Sequence, residues 1–245
     1  MKKTERIQIA KNTLEIIEQG HYTNRKGITI SIKEQMQKCI ESSIHYAAES
    51  FDDVREKIAP ILATSKTPTR FDVLDATTLD AAYKLSMEGI TDIVGLNFAS
   101  AKNPGGGFLN GSQAQEESIA RSTGLYPCLI KNFEMYQVNR NHGSCLYTDN
   151  MIYSPDVPVL KDDDGELLDT PYLLSIITSP AVNAGAIKRN ERHNVSQIEP
   201  VMISRIEKVL SVALVHCHKN LILGAWAVVF LKMSRMMLPG ISRFI

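Results

Sequence analysis

The chain has 245 residues, 44% of them hydrophobic, enough for one medium α/β domain with a buried core. Its 27 Lys and Arg balance 27 Asp and Glu, which removes any global electrostatic argument for nucleic acid or an anionic membrane. An anionic ligand must be held by local devices such as backbone N–H groups. Met1 to Gly20 is charged and helix-patterned, without the apolar core of a leader, and no apolar run reaches membrane-spanning length. Cys39, Cys128, Cys145 and Cys217 form no CxxC pair. The expectation is a cytoplasmic protein with reduced thiols, no structural zinc and no cofactor.

In chain order, Ile7, Ala10, Leu14 and Ile17 recur at helical spacing, with Gly20 as the stop. Ile28, Ile30 and Ile32 alternate as in a short strand, and Met36, Cys39, Ile40, Ile44 and Ala47 mark a second helix. Residues 1–60 read as a helical extension that packs on the main domain or covers part of its cleft. Ala63 to Thr69 is a polar loop.

Strands and helices then alternate. Arg70 to Leu74 predicts a strand, and Thr77 or Thr78 caps a helix carrying Leu79, Ala82 and Leu85. Ile93 to Phe98 predicts a buried strand, and Ser112 or Gln113 opens the next helix. Met151 to Tyr153, Leu173 to Thr178 and Leu221 to Leu223 are further strands, Lys161 to Glu166 is a solvated acidic loop, and Ile198 to His216 is a long helix. The alternation favours a three-layer α/β/α domain, in which ligands bind beyond the carboxyl ends of the strands.

The stretch Asn103-Pro104-Gly105-Gly106-Gly107, then seven residues, then Gln115-Glu116-Glu117, carries the chemistry. Three glycines let the backbone curl around a ligand with its N–H groups inward, which suits a diphosphate. Asn103 can offer a carbonyl and an amide to ribose hydroxyls. The loop is neither a Walker A nor a Rossmann motif. A protonated Glu can donate to the leaving oxygen of a glycoside while positive charge builds on the anomeric carbon. Adjacent helical residues diverge, so only one of Glu116 and Glu117 is expected to face the reacting centre. The residues alone do not choose which. His216-Cys217-His218, at a helix end, reads as structural, because three successive residues cannot all face one tetrahedral ion. Asp75-Ala76-Thr77-Thr78 reads as a helix cap beside the site.

Gly-Gly-Gly, seven residues, then Gln-Glu-Glu resembles the signature of poly(ADP-ribose) glycohydrolases, and Asn103 to Leu129 resembles the microbial branch. Ser154-Pro155-Asp156-Val157-Pro158, Thr178-Ser179-Pro180-Ala181, Asn183-Ala184-Gly185 and Leu221 to Trp226 extend the likeness over most of the chain. The resemblance implies a macrodomain-like three-layer α/β/α sandwich with a mixed sheet over residues 61–226, preceded by the helical extension. It implies a hydrolase acting on poly(ADP-ribose) or ADP-ribosylated protein and binding ADP-ribose. Gly105, Gly106 and Gly107 would wrap the diphosphate and Asn103 would contact the adjoining ribose. Gln115 would support the loop, Glu116 would position substrate, and Glu117 would be the catalytic acid/base. The alternative is a macrodomain that binds ADP-ribose without cleaving it.

The chain departs from the family after Trp226. The family continues Gly-Cys-Gly-Val-Phe, the second half of the diphosphate cradle, then opens a helix. Here the text reads Ala227-Val228-Val229-Phe230-Leu231-Lys232. One lost G at the junction of the Trp codon and the next accounts for this. Restoring it forces a Gly after Trp226, and permissive synonymous codons then give Gly-Cys-Gly-Val-Phe-Lys-Asn-Glu-Pro. Residues 227–245 are therefore expected to be a frameshifted tail, with loss of a helix and strand and an inactive or weakened member of the family as the result.

Overall fold

The computed structural model describes residues 1–64 and 68–224 and the backbone of Arg243–Phe244. Except for that two-residue backbone, the expected frameshifted tail after Trp226 lies outside the described residues. The elements run α1 (Lys3–Gln19), β1 (His21–Thr23), β2 (Thr29–Ser31), α2 (Lys33–Glu41), β3 (Ile44–Tyr46), α3 (Phe51–Thr64), β4 (Arg70–Phe71), α4 (Thr78–Met87) and β5 (Ile93–Ala99). They continue α5 (Gln115–Ser122), α6 (Leu125–Lys131), α7 (Glu134–Asn141), β6 (Met151–Lys161), β7 (Leu167–Pro180), α8 (Ala184–Asn190), α9 (Ile198–Val215), β8 (Asn220–Ile222) and β9 (Arg243–Phe244).

The main sheet has the order β3-β6-β7-β5-β8-β9-β4. β3, β6 and β7 pair antiparallel, and β7, β5, β8, β9 and β4 run parallel. The sheet is thus mixed and lies between two helical layers, as expected. Strand alternation sorts the core. Ile93 packs in one layer with Leu79 of α4, Ile119 of α5 and Leu125 of α6, while Val94 and Leu96 pack in the other with Phe51 and Val54 of α3 and Ile206 and Val209 of α9. Gly95 faces the first layer, where an added Cβ would stand 3.3 Å from the Thr78 methyl, so α4 begins close against β5.

α1 closes as read from the sequence: Gly20 adopts φ +73° and donates its N–H to the Ile16 carbonyl at 2.9 Å. The expected second helix stops short. It ends at Glu41, the Ser43 hydroxyl bonds the Ile40 carbonyl, and Ile44–Tyr46 pairs with Met151–Tyr153 as β3. Strand pairing overrides the helical spacing of Ile44 and Ala47. The sheet therefore recruits residues from the segment expected as an extension, and α3 joins the layer of α9. Helix α5 opens at Gln115, not at Ser112 or Gln113: a short 3-10 turn over Phe108–Asn110 precedes it, and the chain is still extended at Ala114, with φ −152° and ψ −174°.

β6 and β7 are far longer than expected. Pro155 and Pro158 interrupt the strand signal, yet a bulge between Ser154 and Val157, with Asp156 at φ +49°, carries β6 past them. Lys161, read as part of a solvated loop, is buried at the end of β6. Its Nζ donates to the Ile9 carbonyl at 3.1 Å and to Thr13 Oγ1 at 2.9 Å on α1. Among the described residues, no helix is long and apolar enough to cross a membrane.

Candidate active site

The glycine loop leaves the carboxyl end of β5. Ser100 Oγ accepts the Asn103 N–H at 3.2 Å, and the Asn103 carbonyl accepts the Gly106 N–H at 2.9 Å, closing a tight turn with Asn103 exposed at its rim. Gly105 and Gly106 take φ of +67° and +59°, a backbone region that other residues enter at a cost. Gly105 lies on the Phe108 ring, where an added Cβ would approach ring carbons at 3.0 and 3.1 Å. Phe108 is buried against Ala10 and Ala120, with its ring 5.0 Å from that of Tyr126, so Phe108 and Tyr126 are packing residues.

Glu116 and Glu117 form the first turn of α5, and both reach the loop. Gly107 donates its N–H to Glu117 Oε1 at 3.0 Å. Ser100 donates its N–H to Glu116 Oε2 at 2.6 Å. A Cβ on Gly106 would overlap Glu117 Oε1 and stand 3.1 Å from Glu116 Oε2. The Cα–Cβ bonds of the two adjacent residues diverge, but their long side chains converge on one glycine. The Gly106 and Gly107 N–H groups are engaged within the chain, and the Gly105 N–H also favours the charged Glu116.

The two acids differ in environment. Glu116 is buried, 3% exposed, and burial pushes its carboxyl up to about 8 against the pull of the Ser100 N–H and the Asn97 amide, with the neighbouring Glu117 adding to the rise. Glu117 is half-buried. Asn97 was not singled out from the sequence, although an Asn inside the apolar run of β5 is a usable signal. It is fully buried. Its Nδ2 donates to Glu116 Oε1 at 3.4 Å and to Thr178 Oγ1, its cross-strand partner, at 3.2 Å, while Oδ1 has no partner among the described residues.

Gln115 finishes an edge. The β5–β8 pairing ends at Gly95 with Ile222. Beyond it, Gln115 Oε1 accepts the Phe98 N–H at 2.8 Å, and Nε2 donates to the Leu96 carbonyl at 2.7 Å and to Thr78 Oγ1 at 3.1 Å. The side chain acts as a substitute strand neighbour and anchors α5. Thr77, at the expected cap, accepts the Asp80 N–H at 3.1 Å.

Two clefts flank the carboxyl pair. One, of about 400 Å³, is lined by Ala76, Thr78, Phe98, Gln115, Ser118 and Gly224. The other, of about 420 Å³, is lined by Ser100, Ala101, Tyr147, Asn183 and Ala184. The carboxyls themselves line neither cleft; Gln115 and Ser118, which flank them in the chain, line the first, and Ser100, which donates to Glu116, lines the second.

His216 and His218 lie away from these clefts. His216 stacks on Tyr153 at 3.6 Å between ring centres and its Nε2 bonds the Tyr46 hydroxyl at 2.8 Å, while His218 Nε2 bonds the Tyr153 hydroxyl at 2.8 Å. Both rings are structural, as read. Among the described residues, no group of three His, Cys, Asp or Glu could hold a metal ion.

A family model described as the catalytic domain of microbial-type PARG matches residues 10–162. The chain is similar to a crystal structure of poly(ADP-ribose) glycohydrolase from Thermomonospora curvata at 36% identity and a TM-score of 0.90, covering 99% of this chain and 93% of that one. The same enzyme bound to the inhibitor ADP-HPD matches at 36% identity and a TM-score of 0.87, covering 98% and 92%. The Deinococcus radiodurans enzyme in complex with ADP-ribose matches at 36% identity and a TM-score of 0.78, covering 85% and 88%. A search of curated proteins gave no match.

Proposed function

We propose that this chain, which belongs to the microbial-type poly(ADP-ribose) glycohydrolase family, hydrolyses ADP-ribose glycosidic linkages and releases ADP-ribose from poly(ADP-ribose) or ADP-ribosylated protein. The observation that carries the reading is the convergence of Glu116 and Glu117 on Gly106, at the carboxyl end of β5 and between two clefts. The substrate diphosphate lies over Gly105 to Gly107, whose lack of side chains permits close approach, and Asn103 meets the adjoining ribose at the rim.

Glu117 gives its proton to the leaving oxygen. The glycosidic bond breaks with its electron pair on that oxygen, leaving an oxocarbenium-like ribose. Water adds to the anomeric carbon, and its proton returns to the Glu117 carboxylate. Glu116, buried and held toward its neutral form, orients a ribose hydroxyl. It also spares the site a second negative charge beside the diphosphate. Gln115 acts through its anchoring of α5. The active unit comprises residues 61–226 with β3 and α3, which complete its sheet and helical layer. A cytoplasmic location accords with the free thiols Cys39 and Cys128, adjacent at 3.7 Å.

The test is release of ADP-ribose by wild type, Glu117→Gln and Glu117→Ala. Both variants lose release and keep ADP-ribose binding by calorimetry. Turnover retained by either overturns the assignment of Glu117. The second reading, binding without cleavage, is favoured by Ala227-Val228-Val229 where the family carries a glycine turn. Wild type that binds ADP-ribose and releases none supports it. Sequencing the gene across the Trp226 codon decides the frameshift, and absence of the restored peptide from every frame sinks that idea.

A further inference from the structure

The segment between the glycine loop and α5 is gripped from outside its own unit. Arg6 of α1 donates from Nε to the Gly111 carbonyl at 2.7 Å and from Nη1 to Gln113 Oε1 at 2.7 Å. Gly111 sits at φ +72° with the Lys3 backbone against it, so a Cβ there would meet the Lys3 carbonyl at 2.7 Å and Ile7 at 2.9 Å. From the other side, Arg121 of α5 donates to the Ser112 carbonyl at 2.9 Å. The turn between these contacts is short. The Ser112 N–H bonds the Gly107 carbonyl at 3.2 Å, and Gly107 itself donates to Glu117.

A second line of contact leads from α1 to the same place. Ala10, fully buried, forms a small core with Phe108 and Ala120. Gly105 rests on the Phe108 ring. Arg6 and Ala10 are one helical turn apart, so they present the same face of α1 to the loop. Farther along, Thr13 Oγ1 bonds the backbone carbonyl of Arg121, docking α1 on the last turn of α5.

We propose that Arg6 is a positioning residue of the active site, holding Gly111 and Gln113 so that the glycine loop and the first turn of α5 keep their register. This rests on the reading of Glu117 as the catalytic acid. Helix α1 is then part of the site's scaffold. A guanidinium suits the task because its planar fork serves a carbonyl and an amide oxygen together, whereas an ammonium on the same stem serves one with less direction.

The experiment compares Arg6→Ala, Arg6→Lys and Thr13→Val in the full chain. It measures kcat and KM for ADP-ribose release, calorimetric binding of ADP-ribose, thermal melting, and hydrogen exchange at residues 105–113. Arg6→Ala lowers kcat by about 10-fold or more, the scale expected of a small misplacement near reacting groups, and speeds exchange at 105–113. Arg6→Lys recovers part of both. Thr13→Val lowers the melting temperature and leaves kcat and exchange at 105–113 unchanged. If Arg6→Ala and Thr13→Val behave alike, the role is only to dock α1 and the proposal fails. Unchanged kcat and exchange in Arg6→Ala also overturn it. Should wild type release no ADP-ribose, the proposed function falls, and the exchange data still decide whether Arg6 holds the loop.

Discussion

Gly107 donates its N–H to Glu117 Oε1 at 3.0 Å, so the glycine loop and the first turn of α5 form one unit held by a hydrogen bond to the Glu117 side chain. Glu116 is tied to the same loop by Ser100. Any change that moves the glycines moves the acids, and the converse holds.

Gly106→Ala tests this unit directly. The added Cβ overlaps Glu117 Oε1 and also imposes a left-handed backbone cost of about 1–2 kcal/mol on a side chain. The expected outcome is a loss of release of about 100-fold, with the melting temperature only a few degrees lower. An assay paired with a melt checks it, and full activity would show that the loop tolerates the displacement.

Glu116 gives stability a pH dependence. Its folded carboxyl lies near 8 and its ordinary value is 4.5, so between these the folded state holds a proton that the unfolded state has released. Stability is therefore fully present below about 4.5 and falls as pH rises toward 8, by about 1.4 kcal/mol per pH unit at most. Glu116→Gln keeps the shape without the charge. Denaturant melts from pH 6.5 to 8 are expected to slope downward in wild type and to run flat in the variant.

His216 acts in the opposite sense. Burial holds its imidazole down to about 4, from an ordinary 6.5, with His218 and Lys57 contributing. The unfolded chain then binds the proton first, so this contribution is present above 6.5 and is lost as pH falls toward 4. Between about 4.5 and 6.5 the His216 effect opposes that of Glu116, and His218, which burial also holds below its ordinary value, acts in the same sense as His216. His216→Phe keeps the stack on Tyr153 and removes the His216 part of the opposing slope. Melts of that variant that match wild type across this interval would contradict the assignment.

Arg205 is fully buried and pairs through Nε with Asp149 Oδ1 at 2.9 Å, while its Nη atoms reach the carbonyls of Pro180, Leu146 and Tyr147. Lys208 also contacts Asp149. Asp149→Ala strands a buried guanidinium, at a cost of about 3–5 kcal/mol. Because Tyr147 lines the cleft beside Ser100, loosened ADP-ribose binding accompanies the loss. Urea unfolding and calorimetry measure the two effects, and a change under about 1 kcal/mol would mean that the carbonyls of Pro180, Leu146 and Tyr147 hold Arg205 without Asp149.

By itself, the sequence determined the elements whose signals are local. The spacing of Ile7, Ala10, Leu14 and Ile17 with Gly20, the apolar run from Ile93, and the glycine loop before Gln-Glu-Glu each depend on neighbours in the chain, through helical period, strand burial and permitted φ. The tertiary structure decided what depends on distant partners. Ile44–Tyr46 became a strand because Met151–Tyr153 offered it an edge, and β6 ran past Pro155 and Pro158 because β7 accommodated a bulge. Glu116 and Glu117 converged on Gly106 because Ser100, Asn97 and the loop draw them together. Glu116 became the buried acid because α5 packs that side of the helix onto Asn97 and β5. Arg6 met the loop only because α1 folds across it. Local propensity acts over a few residues, whereas desolvation and close approach are properties of packed surfaces, and those are assembled from segments far apart in the chain.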